Sequence, residues 1–225
     1  MKNKRMLASL VSSMLLVTAA HAGSLDPVSS AETAMAKSIA NPPVIAARAA
    51  STAAADNTSA SISPGVEFLR VEAHRFAKSE VSTDKRWADV TSYDYDSDEL
   101  ITKVVDLNTN TVVSTTRNKE MQPPLADAEL TRAISIVFED PEELSILQNE
   151  YQRITGEQLS SIDQLQYKAF TFFADSMPGV VNEASTVCGT QRCAQLVLYT
   201  HDNLVFEVSP IVNLSAGVVS QRMGY

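Results

Sequence analysis

The sequence predicts an α+β protein made of two tandem copies of one unit, each a helix and a short helix packed on a four-stranded antiparallel sheet. Three observations carry this expectation. ADVTSYDYDSDELITKVVDLNTNTVVS (Ala88 to Ser114) aligns with AQLVLYTHDNLVFEVSPIVNLSAGVVS (Ala194 to Ser220). Both alternate apolar and polar residues between turn signals, the period of a three-strand antiparallel meander. PVSSAETAMAKSIA (Pro27 to Ala40) aligns in the same way with PLADAELTRAISIV (Pro124 to Val137), and both read as helix starts. Each is followed by a Pro-marked break, at Pro42-Pro43 and at Pro141. A short helical segment and a further strand candidate come next, VEFLRVEAHRF (Val66 to Phe76) or LQYKAFTFFAD (Leu165 to Asp175).

Taken in order, the elements have local reasons. Lys2, Lys4 and Arg5 precede an apolar stretch from Met6 to Ala20, and Ala20-His21-Ala22 offers a small-residue cleavage site. That pattern predicts a secretory leader over 1–22, cleaved after Ala22, too short and wrongly flanked for a spanning helix. The first copy is expected over 23–120 and the second over 121–225. Ser29 and Glu32 form a capping box in which Ser accepts from a free backbone N–H and Glu reaches back. STAAADNTSASISPG (51–65) is poor in bulky residues and is a candidate disordered loop inside the first copy. In the second copy Asp127 and Glu129 put negative charge in the first helical turn, where the dipole favours it. Leu130, Ile134, Val137 and Phe138 follow as an apolar stripe for packing on a sheet. TTRNKEMQPP, between the copies, reads as a short semi-rigid link.

Charge narrows the function classes. The formal net charge of the 225-residue chain is −9, and removing the three bases of the leader makes it −12. An acidic surface repels phosphate backbones and anionic lipid, so neither nucleic acid nor a membrane surface is expected as a partner. No later stretch is long and apolar enough to insert in a bilayer. The two cysteines, Cys188 and Cys193, are predicted to form a disulfide at a hairpin tip, as export to an oxidising space favours. A redox pair or half a metal site is the alternative, but the spacing is not C-x-x-C and His201 lies beyond the following strand. The leader and the single disulfide together predict a secreted, periplasmic protein.

Several of these pieces resemble one known family. LDPVSSAETAMA (Leu25 to Ala36) resembles the opening of the first of two small cystatin-like domains that precede the catalytic domain of copper amine oxidases. VVDLNTNTVVSTTRNKEMQPPLADAEL (Val104 to Leu130) is similar to the junction between those domains, and VSPIVNLSAGVVS to the close of the second. The resemblance implies two tandem cystatin-like repeats without the catalytic domain. That family's chemistry needs a Tyr in an Asn-Tyr-Asp/Glu context and three copper-binding His. Tyr93, Tyr95 and Tyr151 are not preceded by Asn, and after the leader only His74 and His201 remain. No catalytic residue transfers, so no cofactor is expected.

Other constellations are sparse. Asp94, Asp96 and Asp98 imitate the start of a calcium loop, but its sixth position is Glu99 rather than Gly and its twelfth Val105 rather than Glu. They remain weak metal candidates beside the plainer reading, a solvated acidic hairpin. His74 and Glu72, two residues apart on a strand, share a face. They are candidates for a base oriented by a carboxylate, against the plainer reading of a surface histidine with no nucleophile beside it. No Gly-rich phosphate loop, nucleophile elbow or inhibitory Gln-x-Val-x-Gly loop occurs. The expected function is a noncatalytic exported module that binds a protein partner or itself. Amine or divalent-cation binding in a helix–sheet groove is the alternative, and an enzyme with an unrecognised site a remote one.

Overall fold

The computed structural model describes residues 24, 26–41, 64–81 and 84–224. The leader, Pro42-Pro43, the first copy's short helix and all but the last two residues of the 51–65 loop lie outside the described residues. The chain is α+β, with two four-stranded antiparallel sheets and three α-helices among those residues. Helix α1 (Ser30–Ala40) starts at the predicted box: Ser29 N–H donates to Glu32 Oε2 at 2.8 Å and Glu32 N–H to Ser29 Oγ at 3.2 Å. Lys103 Nζ donates to the Ala40 carbonyl at its other end. Strands β1 (Val66–Ala73), β2 (Trp87–Asp94), β3 (Glu99–Asp106) and β4 (Thr111–Lys119) form a meander in that order. Ala36 and Ala40 pack on Ala88, Val90, Val105 and Leu107, which joins helix and sheet in one small core.

The second sheet repeats the plan with β5 (Leu165–Thr171), β6 (Cys193–Thr200), β7 (Val208–Asn213) and β8 (Val218–Gly224). Helix α2 (Asp127–Glu139) lies on it, burying Ala133, Ile134 and Val137. The segment after Pro141 is not short. It is α3 (Pro141–Thr155), 15 residues against 13 in α2. Asp140 caps it by accepting from the Glu142 and Glu143 N–H groups, Pro141 occupies the first turn, and Gly156 ends it at φ 79°. Leu147 and Tyr151, four apart, seat it on the second core, which gives a helix of that length a face to bury.

The recurring Val-Asp-Leu and Val-Asn-Leu have one physical role. Asp106 Oδ1 accepts from the N–H groups of Asn108 and Thr109, and Asn213 Oδ1 from that of Ala216, closing equivalent turns. The following Leu107 and Leu214 are buried, and each donates its N–H at 2.8 Å to an arginine carbonyl, of Arg86 or Arg192. A bulge recurs as well, between Val104 and Val105 and between Ile211 and Val212. The copies do not have independent cores. Tyr93, Tyr95 and Leu100 of the first copy are buried in the cluster that holds Leu147, Leu196, Leu198 and Phe206 of the second copy. The first copy's own core is built largely from small side chains.

Cys188 and Cys193 are joined in a disulfide with Cα atoms 5.4 Å apart. They do not cap a hairpin tip, since Cys193 opens β6 while Cys188 belongs to the excursion between β5 and β6. There they pack with Phe172, Ile211 and Met223. So short a ring restrains the unfolded chain modestly. Replacing both cysteines by alanine is expected to lower the unfolding free energy by about 2 kcal/mol. Urea denaturation under non-reducing conditions checks it, and no change in midpoint would contradict it.

Candidate functional site

The most buried polar constellation joins the two copies. Arg192 and Glu129 have fully buried side chains, both 0% exposed. Arg192 Nε donates to Glu129 Oε1 at 2.6 Å and Nη2 to Oε2 at 2.9 Å, a bidentate fork. The remaining donors run to the link between the copies, Nη1 to Pro123 O at 2.7 Å and Nη2 to Pro124 O at 3.2 Å. Glu129 also accepts from Ala126 N–H at 2.7 Å, and the first copy's Tyr95 Oη donates to its Oε1 at 2.6 Å. Glu129 lies in the first turn of α2 as the sequence places it, and its burial is what the sequence did not show. It caps the helix while serving as a buried counter-ion.

The first copy contains the same clamp. Arg86 Nε and Nη2 donate to Glu32 at 2.6 and 2.9 Å, and its Nη1 and Nη2 reach the carbonyls of Asp26 and Pro27. Arg86 and Arg192 stand two residues before the alanines that open the aligned stretches, and Glu32 pairs with Glu129 in the helix alignment. The signal was present in the repeat, one step upstream of where the alternation begins. The two clamps differ in burial, because Glu32 is 22% exposed.

Around the second clamp the junction is closed by further contacts. The Arg132 guanidinium stacks 4.6 Å from the Tyr95 ring centroid and donates to Glu67 at 2.5 Å. Ser215 Oγ donates to Asp98 Oδ1 at 2.5 Å, and Gln122 Nε2 to Tyr93 Oη at 3.1 Å.

The electrostatics suit a clamp rather than a catalyst. Burial by itself pushes the Glu129 carboxyl up, but the Arg192 fork, the Tyr95 hydroxyl and the Ala126 N–H outweigh it and hold the group below the usual carboxylate range. Burial and the neighbouring Glu129 charge push the Tyr95 phenol far above its usual value, and burial raises Tyr93 to about 12. Glu129 thus stays ionised, Tyr95 and Tyr93 stay protonated, and none changes state near neutral pH.

The Arg86 fork, opposed by modest burial and helped by Ser29, holds Glu32 at about 2, against 4.5 ordinarily. A folded value below the unfolded one means stability that is complete above about pH 4.5 and is lost as pH falls toward 2. That contribution is on the order of 2 kcal/mol after allowance for partial exposure. Glu32→Gln is expected to flatten this acid limb, read from urea midpoints between neutral pH and pH 3. An unaltered limb would refute it.

The other predicted residues are dispersed. Asp94 is held below its usual value: burial raises it, but hydrogen bonds from Arg117, Ser97 and the Asp96 N–H lower it further. Asp98, at φ 52°, faces Tyr93 Oη and Ser215, and Asp96 is exposed. Among the described residues no group of three or more His, Cys, Asp or Glu side chains is placed to hold a metal ion. His74 Nδ1 lies 2.6 Å from Asp89 Oδ1, not against Glu72, whose ion-pair partner is Arg70 at 3.3 Å. Its ring packs with Phe76 and Trp87 beside an open groove of about 710 Å³ lined by Val28, Val71, Glu72 and Arg75. His201 sits on the other sheet, within 2.9 Å of Asp163 O. No helix among the described residues is long and apolar enough to cross a membrane.

No protein-family model matches the chain, and no curated protein matches it. Among solved structures the chain is similar to a copper-containing benzylamine oxidase from Hansenula polymorpha, at 12% identity and a TM-score of 0.51. The alignment covers 90% of this chain and 30% of that one. At that identity the likeness is one of fold: two sheets and their helices arranged as in part of a much longer oxidase.

Proposed function

We propose that this chain is an exported, noncatalytic interaction module built from two cystatin-like repeats, akin in fold to the accessory portion of a copper amine oxidase. One observation carries the reading. Four perturbed ionisable groups, Glu129, Arg192, Tyr95 and Tyr93, are gathered where the copies meet. They brace the two repeats against each other, so their shifts serve structure rather than acid–base chemistry. A body so braced presents fixed sheet faces and edges, which is what a docking module needs.

Two measurements test this. A fusion of residues 1–22 to a reporter that is active only outside the cytoplasm is expected to be active, and the recovered chain to begin at Gly23. Tagged chain is expected to retain one stoichiometric protein from an envelope extract, or to self-associate when pure. A chain that keeps its leader, retains nothing and stays monomeric would overturn the proposal.

The groove beside His74 supports a second reading, small-molecule binding, because the Glu72 carboxylate, the His74 imidazole and the Phe76 ring line it together. Calorimetric titration with primary amines and divalent cations would show heat for the chain and none for His74→Ala. Flat titrations for the parent chain would remove this reading.

A further inference from the structure

Strand β4 is an exposed edge of the first sheet, and it lacks the cover that its counterpart in the second sheet has. Eight of its nine residues are exposed, and among the described residues it pairs with β3 alone. Its counterpart β8 is covered. Asn182 Nδ2 donates to the Ser220 carbonyl at 2.8 Å, Asn182 N–H to Gln221 Oε1, and Ser185 Oγ meets Ser220 Oγ. Those contacts come from the excursion between β5 and β6, 21 residues long against 13 between β1 and β2. The position matching Ser220 on β4 is Val113, an exposed valine at the same bulge.

The strand's chemistry suits pairing. TVVSTTRNK is rich in β-branched residues and has neither Pro nor Gly. Natural edges are defended by charge, Pro or cover. Here Arg117 is already neutralised by Asp94 and Glu99 of its own sheet, at 3.3 and 3.0 Å. Lys119 stands at the very end, and the bulge at Val113 is confined to the strand's first three residues.

We infer that β4 is a self-association edge, on which a second copy of this chain adds its own β4 antiparallel about a two-fold axis at Thr115. This deepens the interaction-module reading and rests on it. The antiparallel two-fold arrangement is chosen by charge. It sets the two Lys119 residues roughly 27 Å apart, at opposite ends. Each then stands opposite the partner copy's Thr111, whose β3 neighbour is Asp106. A parallel arrangement would bring the lysines together. Centring on Thr115 overlaps all nine residues, and the central pairs, Thr115 with itself and Ser114 with Thr116, lie clear of the bulge. The isologous contact closes after two copies. It continues the first sheet to eight strands and removes the bare edge.

The test is sedimentation velocity on the purified chain over a wide concentration range. The expected result is a monomer–dimer equilibrium. Thr115→Glu and Thr115→Lys place like charges opposite each other at the axis and are each expected to weaken the dimer about five-fold or more. Mixing the two variants is expected to restore it, since unlike charges then face each other. Thr115 is exposed and stands opposite Lys103 of its own sheet, so Thr115→Glu is expected to melt at or slightly above the parent and Thr115→Lys slightly below it. A parent that stays monomeric, a Thr115→Glu chain that dimerises as tightly, or a mixture no tighter than either variant would overturn the inference. If the chain is monomeric yet retains a protein from envelope extract, self-pairing falls and the module reading stands. If it does neither, both fall.

Discussion

Arg192→Ala is expected to lower the unfolding free energy by about 3–5 kcal/mol, because it strands a carboxylate in the core. Glu129 has no solvent to turn to: its side chain is 0% exposed and its other partners are one phenol and one backbone N–H. The same change releases the link, whose Pro123 and Pro124 carbonyls accept from Arg192. Replacing both partners, Arg192→Met with Glu129→Met, is expected to cost far less than the two single changes added together, since no buried charge remains. Arg86→Ala in the first copy is expected to cost less than Arg192→Ala, because partly exposed Glu32 regains water. Urea midpoints for Arg192→Ala, Arg86→Ala, the two single methionine variants and their double decide it. Equal losses for Arg86→Ala and Arg192→Ala would mean that burial does not control the clamp's energy.

Tyr95→Ala is expected to cost about 3–5 kcal/mol and to split the thermal transition in two. Tyr95 is a first-copy residue buried in the second copy's core. Its hydroxyl donates to Glu129, its ring stacks under Arg132, and it lies 4.9 Å edge-on to Tyr93. Removing it takes away the side chain that most directly couples the copies. The first copy's small alanine-rich core is then left to melt first. Tyr95→Phe keeps the ring and loses only the hydrogen bond, so it should cost about 1–2 kcal/mol and leave one transition. Scanning calorimetry distinguishes the two. A single sharp transition for Tyr95→Ala would show that the remaining contacts at the junction suffice for cooperativity.

Different parts of this architecture were legible to different degrees. The Ser29–Glu32 box and the Val-Asp-Leu turns were readable because their hydrogen bonds span only two or three residues. The length of α3 was not, since Pro141 reads as a break. Its use as a first-turn residue depends on Asp140 capping the two N–H groups beyond it. His74 illustrates the harder case. Strand alternation places Glu72 on its face, yet the antiparallel register sets Asp89 across from Glu72 and brings the Asp89 carboxylate onto the imidazole. Nothing within β1 contains that register. The acidic run Asp94, Asp96, Asp98 was legible as a hairpin turn, but the use of Asp94 by Arg117 and of Asp98 by Ser215 depends on chain 23 and 117 residues away.

The sequence by itself determined the repeated unit, the order of its strands, its turns and its first helix cap, because each follows from periodicity or from bonds between near neighbours. Only the tertiary structure decided that Arg86 and Arg192 are clamps, reaching carboxylates 54 and 63 residues back along the chain. It also decided that one clamp is sealed while the other is partly wet. The glutamates have equivalent positions in their helices, and what separates them is the neighbour each meets. Glu129 is covered by Tyr95 from the other copy, whereas Glu32 stays 22% exposed and no phenol among the described residues is bonded to it. Desolvation is set by whatever lies within a few ångströms, however distant in sequence, so equal motifs acquire unequal energies only once the chain has closed.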